Sequence, residues 1–263
     1  MLLERKVALI HGGGGAIGGA VARAFAREGA QVHLCGRSRA KLERVAAEIA
    51  AGGGRAEIAT LDALDEAAVR AHAAAVADSA GGIDIALNAI GVPHVQGTPF
   101  AELSLQDYLQ PIAAYTRSNF ITAQAAARHM RRGGAILTLS TPGSRMSGVG
   151  FLGYGVTCAA IEAFSRILAG ELGGAGIRVV CLRPDAIPEA LPVSYAREVF
   201  EGYASRAGTT VEALVAERER GGTLLGRFPS LAQVADYAAF VASDRAGAMT
   251  GAIANLSCGS LVD

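Results

Sequence analysis

The chain has 263 residues, 51 % hydrophobic and 18 % charged, with 24 Lys and Arg balanced by 24 Asp and Glu. That balance withdraws compositional support from a disordered chain, a basic nucleic-acid groove and a polybasic membrane anchor. The length suits one large α/β domain spanning 1–263, and the apolar segment ending at His11-Gly12 is too short for a signal-peptide core, so the expected location is cytoplasmic.

Short apolar runs alternate with longer segments of helical periodicity. Strands are predicted at Val7 to Ile10, Val32 to Cys35, Ala56 to Ala59, Ile83 to Leu87, Ala135 to Leu139, Ile177 to Leu182 and Ile253 to Leu256. Between them helices are predicted at Ala16 to Glu28, Arg39 to Ala51, Glu66 to Asp78, Ser104 to Met130, Tyr154 to Leu172 and Leu231 to Ser243. Near-continuous apolar strands linked by helices imply a doubly wound, Rossmann-type parallel sheet of seven strands with helices on both faces, and ligands at the carboxyl ends of the strands. The rhythm breaks between Pro188 and Gly222, which carries two prolines, two tyrosines and a charged helix-like stretch from Glu212 to Arg220. This segment reads as a substrate lid or, alternatively, as a surface helical hairpin.

The stretch His11-Gly12-Gly13-Gly14-Gly15-Ala16-Ile17-Gly18 follows the first strand and opens the first helix. Glycines there allow a tight turn and let backbone amides approach a pyrophosphate at the positive helix end, so dinucleotide binding is expected; the competing reading is a flexible turn in a glycine-rich chain. NAD-dependent enzymes place an acidic residue after the second strand against the ribose 2′-hydroxyl. Here the residues are Cys35-Gly36-Arg37-Ser38-Arg39. Arg37 with Ser38 can instead fork onto a 2′-phosphate, which points to NADP(H); the alternative is a solvent-facing arginine. The four cysteines and five histidines are scattered without metal-ligand spacing, so no metal site is expected.

In order along the chain, these motifs resemble the short-chain dehydrogenase/reductase family. Gly12, Ala16, Ile17 and Gly18 are similar to its TGxxx(G/A)xG loop, Asp62 falls at its adenine-contacting Asp, and Asn88-Ala89-Ile90-Gly91 resembles its NNAG stretch. Asn119 matches its helix-borne active-site Asn, Thr141 its catalytic Ser, Tyr154 its catalytic Tyr, and Pro184-Asp185-Ala186-Ile187 its PGxx stretch beside the nicotinamide. The resemblance implies catalytic residues Asn119, Thr141 and Tyr154. It implies a cofactor site formed by Gly12, Gly15, Ala16, Ile17, Gly18, Arg37, Ser38, Asp62, Asn88, Ala89, Gly91, Tyr154, Pro184 and Ile187. It also implies a small carbonyl or alcohol substrate and a homo-oligomer, tetramer or dimer, built on the helices Ser104 to Met130 and Tyr154 to Leu172.

Three residues depart from the pattern: His11 replaces the leading Thr of the loop, Thr141 the Ser, and Cys158 the Lys of YxxxK. Tyr titrates near ~10, and a cation one helical turn away supplies part of the shift that acid/base work near pH 7 needs. Losing a charged hydrogen bond costs roughly 1.5–3 kcal/mol, or about tenfold to a few hundredfold in rate, which predicts impairment, more for oxidation than for reduction. Every basic residue after Lys41 is Arg, so a substitute cation could come only from residues such as Arg145 or Arg183. The leading reading is an NADP(H)-dependent oxidoreductase acting on a carbonyl or alcohol. The alternatives are an NADP(H)-binding sensor or inactive partner subunit and, third, a non-redox lyase, against which the retained glycine loop argues. Val92 to Val95, Phe151, Tyr195, Phe200 and Tyr203 are expected near an apolar substrate pocket.

Overall fold

A computed structural model describes all residues, 1–263. Seven parallel strands form one sheet in the order β3-β2-β1-β4-β5-β6-β7, with β1 Val7–His11, β2 Gln31–Gly36, β3 Arg55–Thr60, β4 Ile83–Asn88, β5 Met130–Leu139, β6 Arg178–Pro184 and β7 Ala252–Leu256. Every residue of β1, β4 and β6 is buried, which is why they read as unbroken apolar runs, whereas the edge strand β3 has no buried residue. Helices α1 (Ala16–Arg27), α2 (Arg39–Ala51) and α8 (Leu231–Ala242) cover one face around Phe25, Val45 and Ala239. Helices α3 (Glu66–Ala80), α4 (Leu105–Ala127) and α5 (Leu152–Gly173) cover the other. Helix α5 is long and apolar enough to cross a membrane by length and composition, but it packs against α4 and β6 as a core helix.

The strand order reverses between β1 and β4, so the chain leaves these neighbours toward opposite faces and a crevice opens at their carboxyl ends. The largest departure from the sequence expectation is at the junction of α4 and β5. Helix α4 stops at Ala127 instead of running to Met130, and β5 begins at Met130, because Arg131 donates to the buried Asp84 carboxylate at 2.6 Å and to the Ala80 carbonyl, drawing this stretch beside β4. The Gly133-Gly134 pair, with Gly133 at φ +89, lets the strand continue irregularly into Ala135.

The segment from 188 to 222 holds two helices, α6 (Ala196–Arg206) and α7 (Val211–Gly222), after a short 3-10 turn at Pro188–Val193. The charged stretch Glu212 to Arg220 lies within α7, and α6 is its helical partner. Their small core of Leu191, Ala204, Val211, Leu214, Val215 and Phe228 is separate from the sheet's.

The β1–α1 turn is fixed by backbone contact. A Cβ on Gly12, at φ +79, would lie 2.4 Å from the Ala89 carbonyl oxygen, and one on Gly18 would lie 2.3 Å from that of Gly12. Gly18→Ala is therefore expected to cost about 1–3 kcal/mol, read as a lower urea midpoint at unchanged m-value; stability within 0.5 kcal/mol of the parent would show that the turn can give way.

Candidate active site

At the amino end of α1 the N-cap is Gly15, which has no side chain to cap the helix, and the amides of Ala16 and Ile17 have no backbone partner. These unspent donors, with the positive end of the helix dipole, open into a cavity of about 630 Å³ running across the carboxyl ends of the strands. Arg37 and Ser38 line the same cavity after β2, and neither side chain is engaged by another residue. Asp62 lines it too, its carboxylate oriented by the Leu64 amide at 2.9 Å. The cradle fits a dinucleotide: close backbone donors for phosphates after β1, a free guanidinium and hydroxyl after β2, and a carboxylate after β3.

At the other end lie Thr141, which follows β5, and Tyr154 and Cys158, one turn apart on α5. Thr141 Oγ1 is 3.4 Å from Cys158 Sγ and accepts from the Gly143 amide at 3.3 Å. The Tyr154 phenol is held well above its usual range, first by burial and then by Cys158, Tyr195 and Tyr115, with the Thr141 hydroxyl opposing. Burial likewise raises the Cys158 thiol. Phenol and thiol are thus neutral at pH 7.

The two arginines considered as cations for Tyr154, Arg145 and Arg183, are committed elsewhere. Arg183 is buried between Glu162, at 3.5 Å, and the Asp263 carboxylate, while Arg145 reaches Asp263 at 2.8 Å. Glu162 in turn accepts from Ser140 and Ser144, both at 2.6 Å, bracing the loop that carries Thr141.

The cavity gathers Gly12, Gly15, Ala16, Ile17, Arg37, Ser38, Asp62, Ala89, Gly91, Thr141, Tyr154, Pro184 and Ile187. Three expected site residues lie outside it. Gly18 packs against Gly12, which makes it a spacing residue. Asn88 is buried below, donating to Thr122 at 3.0 Å and accepting from the Ile90 amide. Asn119 faces a separate small cavity with His11 and donates to the Tyr115 carbonyl, because its position on α4 lies under the end of β4. Of the expected pocket residues, Val95 and Tyr203 also lie outside, Tyr203 meeting Phe151 edge to face at 5.6 Å.

Several contacts within the site were not legible in the sequence. His94 stacks on Tyr154 with ring centres 4.0 Å apart and planes 3° apart. Its Nδ1 donates to the Val92 carbonyl and its Nε2 accepts from the Gln96 amide, both at 3.0 Å, a neutral ring that burial keeps harder to protonate. Tyr115 lies one turn before Asn119, a spacing that put it on the same helix face without revealing its partner, the Tyr195 hydroxyl at 2.8 Å. Asp185 accepts from Arg218 at 2.9 Å, fastening α7 to the end of β6.

Residues 14–260 match the family described as enoyl-(acyl carrier protein) reductase. The chain belongs to the short-chain dehydrogenase/reductase family. It is 31 % identical over 252 residues to D-threitol dehydrogenase of Mycolicibacterium smegmatis, covering 95 % of this chain and 90 % of that one. It is likewise 31 % identical over 260 residues to L-rhamnose 1-dehydrogenase (NAD(P)(+)) of Azotobacter vinelandii, covering 96 % and 95 %. A short-chain dehydrogenase of Burkholderia cenocepacia in complex with NADP superposes with a TM-score of 0.83 at 27 % identity, covering 99 % of both chains. The family places this chain among oxidoreductases of alcohols and carbonyls that use nicotinamide dinucleotides.

His11, at the head of the glycine loop, is buried with neither ring nitrogen hydrogen-bonded, and burial, aided by His72, lowers its pKa to about 3. Below pH 6.5 the unfolded chain binds a proton that the folded chain refuses, so this contribution is complete above 6.5 and is lost as pH falls. From pH 7 to pH 5 the loss from His11 is about 2 kcal/mol. Urea unfolding at the two pH values is expected to show a correspondingly smaller loss in His11→Thr; equal losses in parent and variant would contradict it.

Proposed function

We propose that the protein is an NADP(H)-dependent reductase of small carbonyl compounds, working in reverse as an alcohol dehydrogenase. The observation that carries this reading is one continuous cavity with unspent helix-end amides and a free Arg37 at one end and Thr141 beside Tyr154 at the other. Ala16 and Ile17 amides would hold the pyrophosphate, Arg37 and Ser38 the 2′-phosphate, Asp62 the adenine, and Pro184 and Ile187 the nicotinamide face. The bound nicotinamide supplies or accepts a hydride. In reduction, Thr141 donates a hydrogen bond to the carbonyl oxygen, and the neutral Tyr154 phenol gives that oxygen its proton as the carbon gains hydride. The segment from 188 to 222 covers the reacting end and excludes water.

A second reading keeps the cofactor and drops the turnover: a nucleotide-responsive protein or inactive partner subunit. What favours it is the absence of a free cation near Tyr154, since Arg145 and Arg183 are both paired with carboxylates. The exposed apolar side chains Leu105, Leu109, Phe120, Leu152, Val156 and Ile167 on α4 and α5 support assembly of copies through these helices.

Calorimetric titration with NADPH and NADH tests the cofactor assignment. NADPH is expected to bind more tightly, and Arg37→Glu to weaken it by about tenfold to a hundredfold while changing NADH little, the equivalent of one charged hydrogen bond. No binding of either nucleotide would sink the reductase reading.

Cys158→Lys tests the chemistry: kcat for ketone reduction is expected to rise by about tenfold to a hundredfold at unchanged NADPH affinity. An unchanged kcat would mean that Tyr154 does not depend on a cation at this position. Turnover appearing only in the variant would favour the second reading.

A further inference from the structure

The cavity beyond Tyr154 is walled mainly by apolar and aromatic groups, and among its polar side chains is a pair of phenols that the reduction does not use. Tyr115, from α4, and Tyr195, at the start of α6, bring their hydroxyl oxygens within 2.8 Å of each other, and both line the cavity. The Val92 amide donates to Tyr115 Oη at 3.1 Å. Tyr195 is seated deliberately close: a Cβ on Gly91 would fall 1.9 Å from its ring, so only glycine at 91 admits it.

Counting hydrogens decides what this pair can do. Two phenols carry two O–H donors, and one of them is spent on the bond between the oxygens. If Tyr115 donates, the Tyr195 hydrogen is left over; if Tyr195 donates, the Tyr115 oxygen accepts twice and its own hydrogen is left over. No other protein acceptor lies within hydrogen-bonding distance of either hydroxyl. In both arrangements the pair presents one unspent donor and no free cation, in a largely desolvated wall, where a donor without an acceptor is costly.

The position relates this donor to the reacting phenol. Tyr195 meets the edge of His94 with ring centres 6.1 Å apart, and His94 lies flat on Tyr154 at 4.0 Å. Thr141, Tyr154 and the pair line one cavity, so a substrate whose carbonyl oxygen reaches Tyr154 and Thr141 shares that cavity with the pair. Because Tyr195 belongs to the covering segment and Tyr115 to the main body, an oxygen bound there also ties the two together.

We propose that Tyr115 and Tyr195 are specificity-determining residues that recognise a second, uncharged oxygen of the substrate, so that the substrates are diketones, hydroxyketones or the corresponding diols rather than simple ketones. The second oxygen only accepts a hydrogen bond; no bond to it forms or breaks. This inference rests on the reductase reading above.

The test compares matched pairs, 1-phenylpropane-1,2-dione against propiophenone and 1-phenylbutane-1,3-dione against butyrophenone, with the parent, Tyr115→Phe and Tyr195→Phe proteins. The parent is expected to favour at least one diketone by tenfold or more in kcat/KM over its monoketone. Each Phe variant is expected to bring that ratio toward unity, a change that a general loss of folded protein does not produce. A ratio near one in the parent, or one that both variants leave unchanged, would overturn the proposal. Should no ketone be turned over, the reductase reading fails by that result, and the same ratio is then read from calorimetric binding of the ketones to the protein–NADPH complex. Equal affinities for diketone and monoketone would overturn the proposal there too.

Discussion

The approach of three backbone segments at the head of β1 governs the geometry of this molecule. Gly12 turns the chain within contact distance of the Ala89 carbonyl at the end of β4, and Gly18, the third residue of α1, lies against Gly12. A side chain at either glycine would push α1 away from the sheet. With both absent, the amino end of α1 sits over the crevice where strand order reverses, its first amides unspent. Every other element of the site is placed relative to that point: Arg37 and Asp62 beyond the neighbouring strands, Thr141 and Tyr154 across the crevice.

The reacting end is electrically quiet. Its tyrosines, the Cys158 thiol and the stacked His94 are all kept neutral by burial, and the cations near it are consumed by carboxylates. The Glu162, Arg183 and Asp263 network braces the loop carrying Thr141, so these charges serve shape rather than proton transfer. A neutral phenol in such a setting is suited to giving up a proton as negative charge develops on a substrate oxygen and poorly suited to holding a stable phenolate. This asymmetry gives the proposed reduction its physical advantage over the reverse reaction.

Much of the fold could be read from the chain because buried parallel strands must be apolar and helices must show one apolar stripe; Val7 to Ile10 and Arg39 to Ala51 announce themselves in this way. The reading failed where a distant partner decided. Met130 to Gly134 follows a long helical pattern, yet Arg131 finds Asp84, 47 residues away, and the stretch joins the sheet. Helix α6 has no bounds legible in the chain, because its buried Ala204 packs with Val211, Leu214 and Val215 of α7 in a core of their own. Asn119 lies outside the cavity, since helix phase sets which side chains reach it.

The chain by itself determined the alternation of strands and helices, the glycine turn, the missing acid after β2 and the cysteine one turn after Tyr154. These depend on local backbone sterics, hydrophobic period and residue identity, all of which are written consecutively. Tertiary structure alone decided which charges cancel, that His94 covers the Tyr154 ring, and that Tyr115 and Tyr195, 80 residues apart, share a hydrogen bond. Such pairings follow from the sheet's crossovers and the packing of the covering segment, which bring together side chains whose separation along the chain carries no trace of their contact.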